Sequence, residues 1–263
     1  MSGKVVSLNG DWAYKMRESS AFTRSMTIPC NWEIGGLHDY SGEVWFERRF
    51  ELRGAREDDG VFVLKFKGVD YFADVWLNGK YVGSHEGYFQ PFEFNVTKYI
   101  KLQNENVLIV KVNSPKEDLK NWPHEKRYIK GVFGHHDIRP GSWSPKYGQM
   151  MGTGGIWNDV ELEICEKVRV KNIKVSSELS KNYKRAKVKV EIEAENSSGR
   201  IFRTAHTFSI KNPRLWWTWD LGEQNLYIVE VSIGGETRFV RFGIREIKIV
   251  LSMLGMQSNV LKK

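Results

Sequence analysis

Cysteine is scarce in this chain of 263 residues: Cys30 and Cys165 are the only two, and they lie far apart. Their spacing fits neither a metal centre nor a redox pair, so two reduced thiols are expected rather than a disulfide framework. No apolar run approaches the roughly 20 residues of a membrane-spanning helix. The opening MSGKVVSLNGDW lacks the apolar centre of a secretion signal, which sets a cytoplasmic expectation. No long helical period stands out. A recognition helix and a ribonucleoprotein motif are also missing. The formal charge is +8, but the positive residues are scattered, and in the densest run, residues 181–189, lysines alternate with Val188 and Val190. Those lysines read as the solvated face of a strand. Neither nucleic acid nor membrane is expected as a partner.

What is present is β pattern almost throughout. Hydrophobic residues make up 41% and charged residues 27%, enough for full cores without disulfide support. Phe62, Leu64 and Phe66 alternate with Val61, Val63 and Lys65; Leu108, Val110 and Val112 alternate with Val107, Ile109 and Lys111. Further on, Val188, Val190, Ile192 and Ala194 alternate with charged neighbours. A period of two with one polar face marks half-buried antiparallel strands. The apolar stretch from Leu226 to Val231 reads instead as buried on both faces. By the same parity Cys165 falls on the face of Glu161 and Glu163, opposite Leu162 and Ile164. Asn78-Gly79 between two short strands predicts a hairpin whose two turn residues take positive φ. Many short strands separated by such turns indicate β-sandwiches.

Several motifs carry a resemblance. ADVWLNGKYVGSHEG (residues 73–87), GEVWFERRF (42–50) and GTGGIWNDVEL (152–162) resemble the N-terminal domain of family 2 glycoside hydrolases, the group of β-galactosidases, β-glucuronidases and β-mannosidases. Asn212, Pro213, Leu215, Trp216, Gly222, Leu226 and Tyr227, followed by RFGIR (241–245), resemble that family's second domain. The resemblance implies an all-β chain: a jelly-roll, galactose-binding-like sandwich over 1–165, a shortened immunoglobulin-like sandwich over 166–250, and a divergent tail over 251–263. The second domain is short between Asn196 and Phe208. A catalytic TIM barrel needs about 250 further residues, and none is expected here. Trp45, in the GEVWFERRF strand, reads as core. Trp216, Trp217 and Trp219 read as a packing element rather than a sugar platform.

Residues 114–156 are the outlier, a long connection without a clear strand but rich in aromatics. Within it, KGVFGHHDIRPGSW (130–143) resembles the loop by which β-mannosidase-like members reach their active site. The resemblance implies that Asp137, with His135, His136, Arg139 and Trp143 around it, contacts the terminal sugar. A carboxylate suits vicinal hydroxyls because charged acceptors make the stronger hydrogen bonds, and Trp143 offers a flat apolar face. The other reading of Asp137 and Arg139 is a structural ion pair. Most family members have tryptophan, not histidine, just before this aspartate. Adjacent His135 and His136 point to opposite sides in extended backbone, and no second ligand pair follows, so no metal and no cofactor are expected. Asn104-Glu105 superficially matches the family's acid/base pair, yet it sits at a turn feeding a strand and reads as non-catalytic.

The resemblance therefore implies a non-catalytic N-terminal portion or subunit of a β-mannosidase-like glycosidase. Its partners would be a terminal β-linked sugar and either a separate catalytic-barrel chain or a second copy. The alternatives are a stand-alone carbohydrate-binding module, or a structural remnant without sugar binding. Alone, the chain is expected to be inactive, because the resemblance places the two carboxyl groups that flank the scissile bond in the catalytic barrel.

Overall fold

The computed structural model describes residues 4–16, 21–52, 60–116, 127–130, 143–144, 148–149, 153–165, 167–247, 250–252 and 255–257. These residues form strands and turns, with no helix among them. The chain divides into two compact units between Lys167 and Val168. The first contains β1 (Lys4–Ser7), β2 (Gly10–Lys15), β3 (Arg24–Ile28), β4 (Gly42–Phe50), β5 (Val61–Phe66), β6 (Phe72–Leu77), β7 (Lys80–Glu86), β8 (Phe92–Asn95), β9 (Asn106–Ser114), β10 (Trp143–Ser144), β11 (Gly148–Gln149) and β12 (Val160–Cys165). The second contains β13 (Val168–Leu179), β14 (Arg185–Asn196), β15 (Ile201–Lys211), β16 (Tyr227–Ile233), β17 (Glu236–Phe242), β18 (Val250–Ser252) and β19 (Gly255–Gln257).

In the first unit a six-stranded sheet, β3-β2-β4-β9-β6-β7, and a four-stranded sheet, β1-β12-β5-β8, share one hydrophobic core. Alternation selects the side chains that enter it. Trp12, Val44, Phe46, Val75, Val110 and Val112 come from the six-stranded sheet; Leu64, Phe66, Val160 and Leu162 come from the four-stranded one. Each such side chain stabilises the fold by about 1.5–3 kcal/mol on burial. Parity also places Cys165 as expected. It packs with Val61 and Val63 on the other side of the four-stranded sheet from Leu162.

The β6–β7 hairpin turns at Asn78 (φ 53°) and Gly79 (φ 76°), the positive-φ pair that a two-residue turn demands. Asn78 also fastens the hairpin to its neighbour. Its Nδ2 donates to the Asn106 Oδ1 at 2.9 Å and to the Tyr99 carbonyl at 2.7 Å, while its Oδ1 accepts from the Val107 amide at 2.9 Å. One residue thus supplies both the left-handed turn and the tie to β9.

Trp45 does not enter the core. Its neighbours Val44 and Phe46 do, and the period of two sends Trp45 to the opposite face, half-buried against Trp76 with ring centroids 5.3 Å apart. An aromatic in a strand suggests core, but parity decides the face.

The second unit has a smaller core. Val170, Ala186, Val188, Val190 and Ile192 from the three-stranded sheet β13-β14-β15 meet Val231 of the β16–β17 hairpin, together with Ile244. The Glu236 carboxylate, itself buried, accepts from the Val170 amide at 2.6 Å and joins the two sheets. The stretch from Leu226 to Val231 is not buried on both faces: Val231 faces in, whereas Ile228 is 67% exposed. A two-stranded hairpin covers one side only. The tryptophan trio is split as well. Trp216 packs beneath Arg245 at 4.8 Å and Trp217 against Gly222, but Trp219 is 85% exposed.

The two sides of β4 give a direct comparison. Phe46→Ala should destabilise the protein by about 3–5 kcal/mol, the usual loss for a fully buried aromatic. Trp45→Ala should cost clearly less, because its site is already half solvated. Urea unfolding followed by circular dichroism measures both.

Candidate functional site

Asp137, His135, His136 and Arg139 lie outside the described residues. Trp143 opens β10, which pairs with β11 in the register Trp143↔Gln149 and Ser144↔Gly148. The structure does describe the stem from which this segment leaves and to which it returns: residues 127–130 on one side and 153–157 on the other.

At the stem, Lys130 and Asp70 are each 1% exposed. The Lys130 ammonium donates to the Ser114 Oγ at 2.6 Å and to the Pro115 carbonyl at 2.8 Å, and lies 3.5 Å from the Asp70 Oδ1. Ser114 Oγ sits 2.9 Å from that same oxygen and 2.5 Å from the Thr153 carbonyl, and its one proton serves these two acceptors in turn. Thr153 Oγ1 donates to Asp70 Oδ2 at 3.1 Å. Burial pushes the Asp70 carboxyl above its ordinary value, and the Lys130 charge and the surrounding donors pull it back. Tyr88 nearby is pushed up to about 12 by burial and by the Asp70 charge.

The returning segment, residues 153–157, explains its own sequence. Thr153 holds Asp70. At Gly154 a Cβ would stand 2.0 Å from the Trp32 ring, so only glycine lets that indole in. Gly155 has φ +114° and exchanges backbone bonds with Asp70. Ile156 is fully buried, and Trp157 stacks on Tyr88 at 4.7 Å. Trp32 in turn donates to the Tyr40 carbonyl at 3.1 Å, which ties the 33–40 loop to the same stem.

The outgoing side meets a sheet face. Tyr128 packs edge-on against Tyr71 at 5.3 Å and Phe72 at 6.1 Å. Phe72 lines a shallow depression of about 510 Å³ on the six-stranded sheet, along with Asp74, Ser84, Glu86, Lys111 and Asn113. That volume lies within the usual range for small-molecule sites. Beside it stand the Trp45–Trp76 stack and Tyr81, 5.4 Å from Trp76. Lys111 pairs with Asp74 at 2.7 Å and reaches over the Trp45 ring at 5.8 Å. Burial lowers the pKa of His85, which stacks on Phe92 at 4.1 Å. The face offers apolar rings, two carboxylates, an ammonium, an amide and a hydroxyl.

Sequence reasoning missed both features. Asp70 and Lys130 each border a motif, but their pairing spans 60 positions and leaves no local signal. The sheet face was hidden because Trp45 reads as core. Glu105 is ion-paired with Arg49 at 2.9 Å beside the start of β9. Among the described residues no group of three or more His, Cys, Asp or Glu side chains is placed to hold a metal ion.

Removing one partner of the stem pair should be costly. Lys130→Met strands a buried carboxylate, and a loss of about 3–5 kcal/mol is expected. The Asp70→Asn/Lys130→Met double variant should recover part of that loss. The pH dependence has a definite sign. A carboxyl whose folded pKa is raised gives stability that is complete below its unfolded value, near 3.8, and is lost as pH rises through the folded value. The Lys130→Met variant should therefore lose stability, relative to the double variant, as pH rises from acid toward neutral. Thermal melts of both variants across that range test this.

Comparison with known proteins gives this geometry a family. Residues 2–164 match the sugar binding domain of glycosyl hydrolases family 2, and residues 200–245 match a second glycosyl hydrolases family 2 domain. β-Mannosidase B of Neosartorya fischeri is 27% identical over 242 residues, covering 78% of this chain and 28% of that protein. The β-galactosidase of Thermoanaerobacter pseudethanolicus is 28% identical over 188 residues, covering 66% of this chain and 22% of its own length. The chain thus spans 28% and 22% of these two relatives. Among solved structures, the β-D-mannosidase from Dictyoglomus thermophilum shares the fold with a TM-score of 0.64 at 23% identity, covering 97% of this chain and 38% of that one. A putative β-galactosidase from Bacteroides fragilis gives a TM-score of 0.66 at 19% identity, over 95% and 42% of the two chains. With a match over most of its length, the chain belongs to glycosyl hydrolase family 2, of which it carries the sugar binding domain and part of a second domain.

Proposed function

We propose that this chain serves as the non-catalytic N-terminal portion of a β-mannosidase-like glycosidase and lends one wall to the terminal sugar subsite. The observation that carries the proposal is the stem. The segment that resembles the family's sugar-contacting loop leaves from Lys130 and returns at Thr153, and both residues bind the same buried carboxylate of Asp70. So rigid a base is what a loop needs to hold a side chain in place against a substrate. On this reading Asp137 accepts hydrogen bonds from vicinal hydroxyls, Arg139 orients it, His135 and His136 flank it, and Trp143 presents an apolar face to the ring. Hydrolysis belongs to a catalytic barrel carrying two carboxyl groups. The substrate is a terminal β-linked sugar, with mannose first.

A second reading, a free-standing carbohydrate-binding module, is favoured by the sheet face that carries Trp45, Trp76, Tyr81 and Asp74. The two readings separate on hydrolysis of p-nitrophenyl β-mannoside and its galactoside, glucoside, glucosaminide and glucuronide analogues. No turnover is expected from the chain alone, and turnover is expected once a catalytic-barrel chain is added. Glycan binding by the chain alone, with no gain in activity from any barrel chain, would favour the module.

In the reconstituted enzyme Asp137→Ala should lower kcat/KM roughly ten- to a hundredfold, the loss of about 1.5–3 kcal/mol from one charge-assisted hydrogen bond. The melting temperature of the isolated chain should stay unchanged. Unchanged activity with a large stability loss would instead make Asp137 a structural partner of Arg139.

A further inference from the structure

β15 is the outer strand of its sheet, and ten of its eleven residues are exposed. It pairs with β14 in unbroken register from Arg185↔Lys211 to Glu195↔Ile201. Its even-numbered residues lie opposite the buried Ala186, Val188, Val190, Ile192 and Ala194, so Phe202, Thr204, His206, Phe208 and Ile210 share the core-side face. The β16–β17 hairpin contacts β13 and leaves this part of the face open: Phe202 and Phe208 are each 42% exposed. Natural edge strands are guarded by proline, a bulge, an inward charge or short length. β15 has none of these: it contains no proline, no register shift toward β14 and no charge on its core-side face.

The free backbone groups can be assigned. Asn196 donates to Arg200 at 3.1 Å and Asn212 to Lys184 at 2.8 Å, which fixes the even-numbered positions as those bonded to β14. The N–H and C=O groups of residues 201, 203, 205, 207, 209 and 211 therefore point to the free edge. We propose that this edge binds a second copy of the chain through antiparallel β15–β15 pairing, with the two-fold axis at His206.

Self-complementarity identifies the partner as a second copy. Centring on His206 overlaps all eleven residues and pairs outward-pointing positions with one another: Ile201 with Lys211, Arg203 with Ser209, Ala205 with Thr207. On the core-side face Phe202 meets Ile210 and Thr204 meets Phe208. Arg203 and Lys211 fall opposite Ser209 and Ile201, so neither meets a like charge, while His206 meets its own copy on the axis. Arg203 is moreover already neutralised by Glu193 at 2.8 Å. Two three-stranded sheets would join into one of six strands, and the two open apolar faces would become continuous. This is an isologous contact that closes on itself. It does not depend on the sugar-site reading.

Sedimentation velocity on the full chain, over a range of concentrations, should show a species of twice 30.6 kDa. Ala205→Pro removes an edge-pointing N–H and spares the β14 ladder, a position where an edge strand tolerates proline. It should return the mass to 30.6 kDa with an unchanged circular dichroism spectrum. The register has its own test. Facing residues of a non-hydrogen-bonded pair stand about 4.5 Å apart at Cα, within disulfide reach. Under mild oxidation His206→Cys should form a covalent dimer, and Thr204→Cys, which would face Phe208, should not. A monomer at every concentration overturns the proposal. So does a dimer that persists in a folded Ala205→Pro variant, or one that His206→Cys fails to cross-link. If Ala205→Pro does not fold, the cysteine pair decides alone.

Discussion

The carboxylate of Asp70 is the tie on which the stem of the first unit depends. It receives Ser114 from the end of β9, Thr153 from the returning segment and the charge of Lys130 from the outgoing one. Three segments far apart in sequence meet on two oxygens. An ionised group this deep is tolerated only where partners replace its lost water. The pair is therefore better understood as fixing one arrangement of the stem than as adding net stability.

Around that tie the packing is dictated by single atoms. Gly154 has no side chain because the Trp32 indole occupies the place of its Cβ, and Gly155 takes a φ that a side chain would strain. Trp32 also reaches Tyr40, so the 33–40 loop and the stem are set by the same indole. The TGGIW motif is thus a packing solution before it is a family signature.

The two units contrast in how completely their sheets are covered. The first closes six strands against four, and its outer aromatics, Trp45 and Trp76, cover each other. The second sets three strands against two, so one strand lies beyond the reach of the hairpin and its phenylalanines face water. The β14–β15 connection runs directly from Asn196 to Ile201 and adds no strand to either sheet.

Strand parity, the Asn78-Gly79 turn and the division into core and solvent faces could be read from the sequence, because each depends on residues one or two positions apart. The all-β class followed from them, and the family from motifs that such local rules preserve. The face taken by Trp45 was also implicit in its neighbours Val44 and Phe46, but its aromatic character obscured it. The pairing of Lys130 with Asp70, the fit of Trp32 over Gly154 and the open side of β15 were decided only in three dimensions. Each joins groups whose separation along the chain carries no periodic signal, so only the packed structure could bring them together.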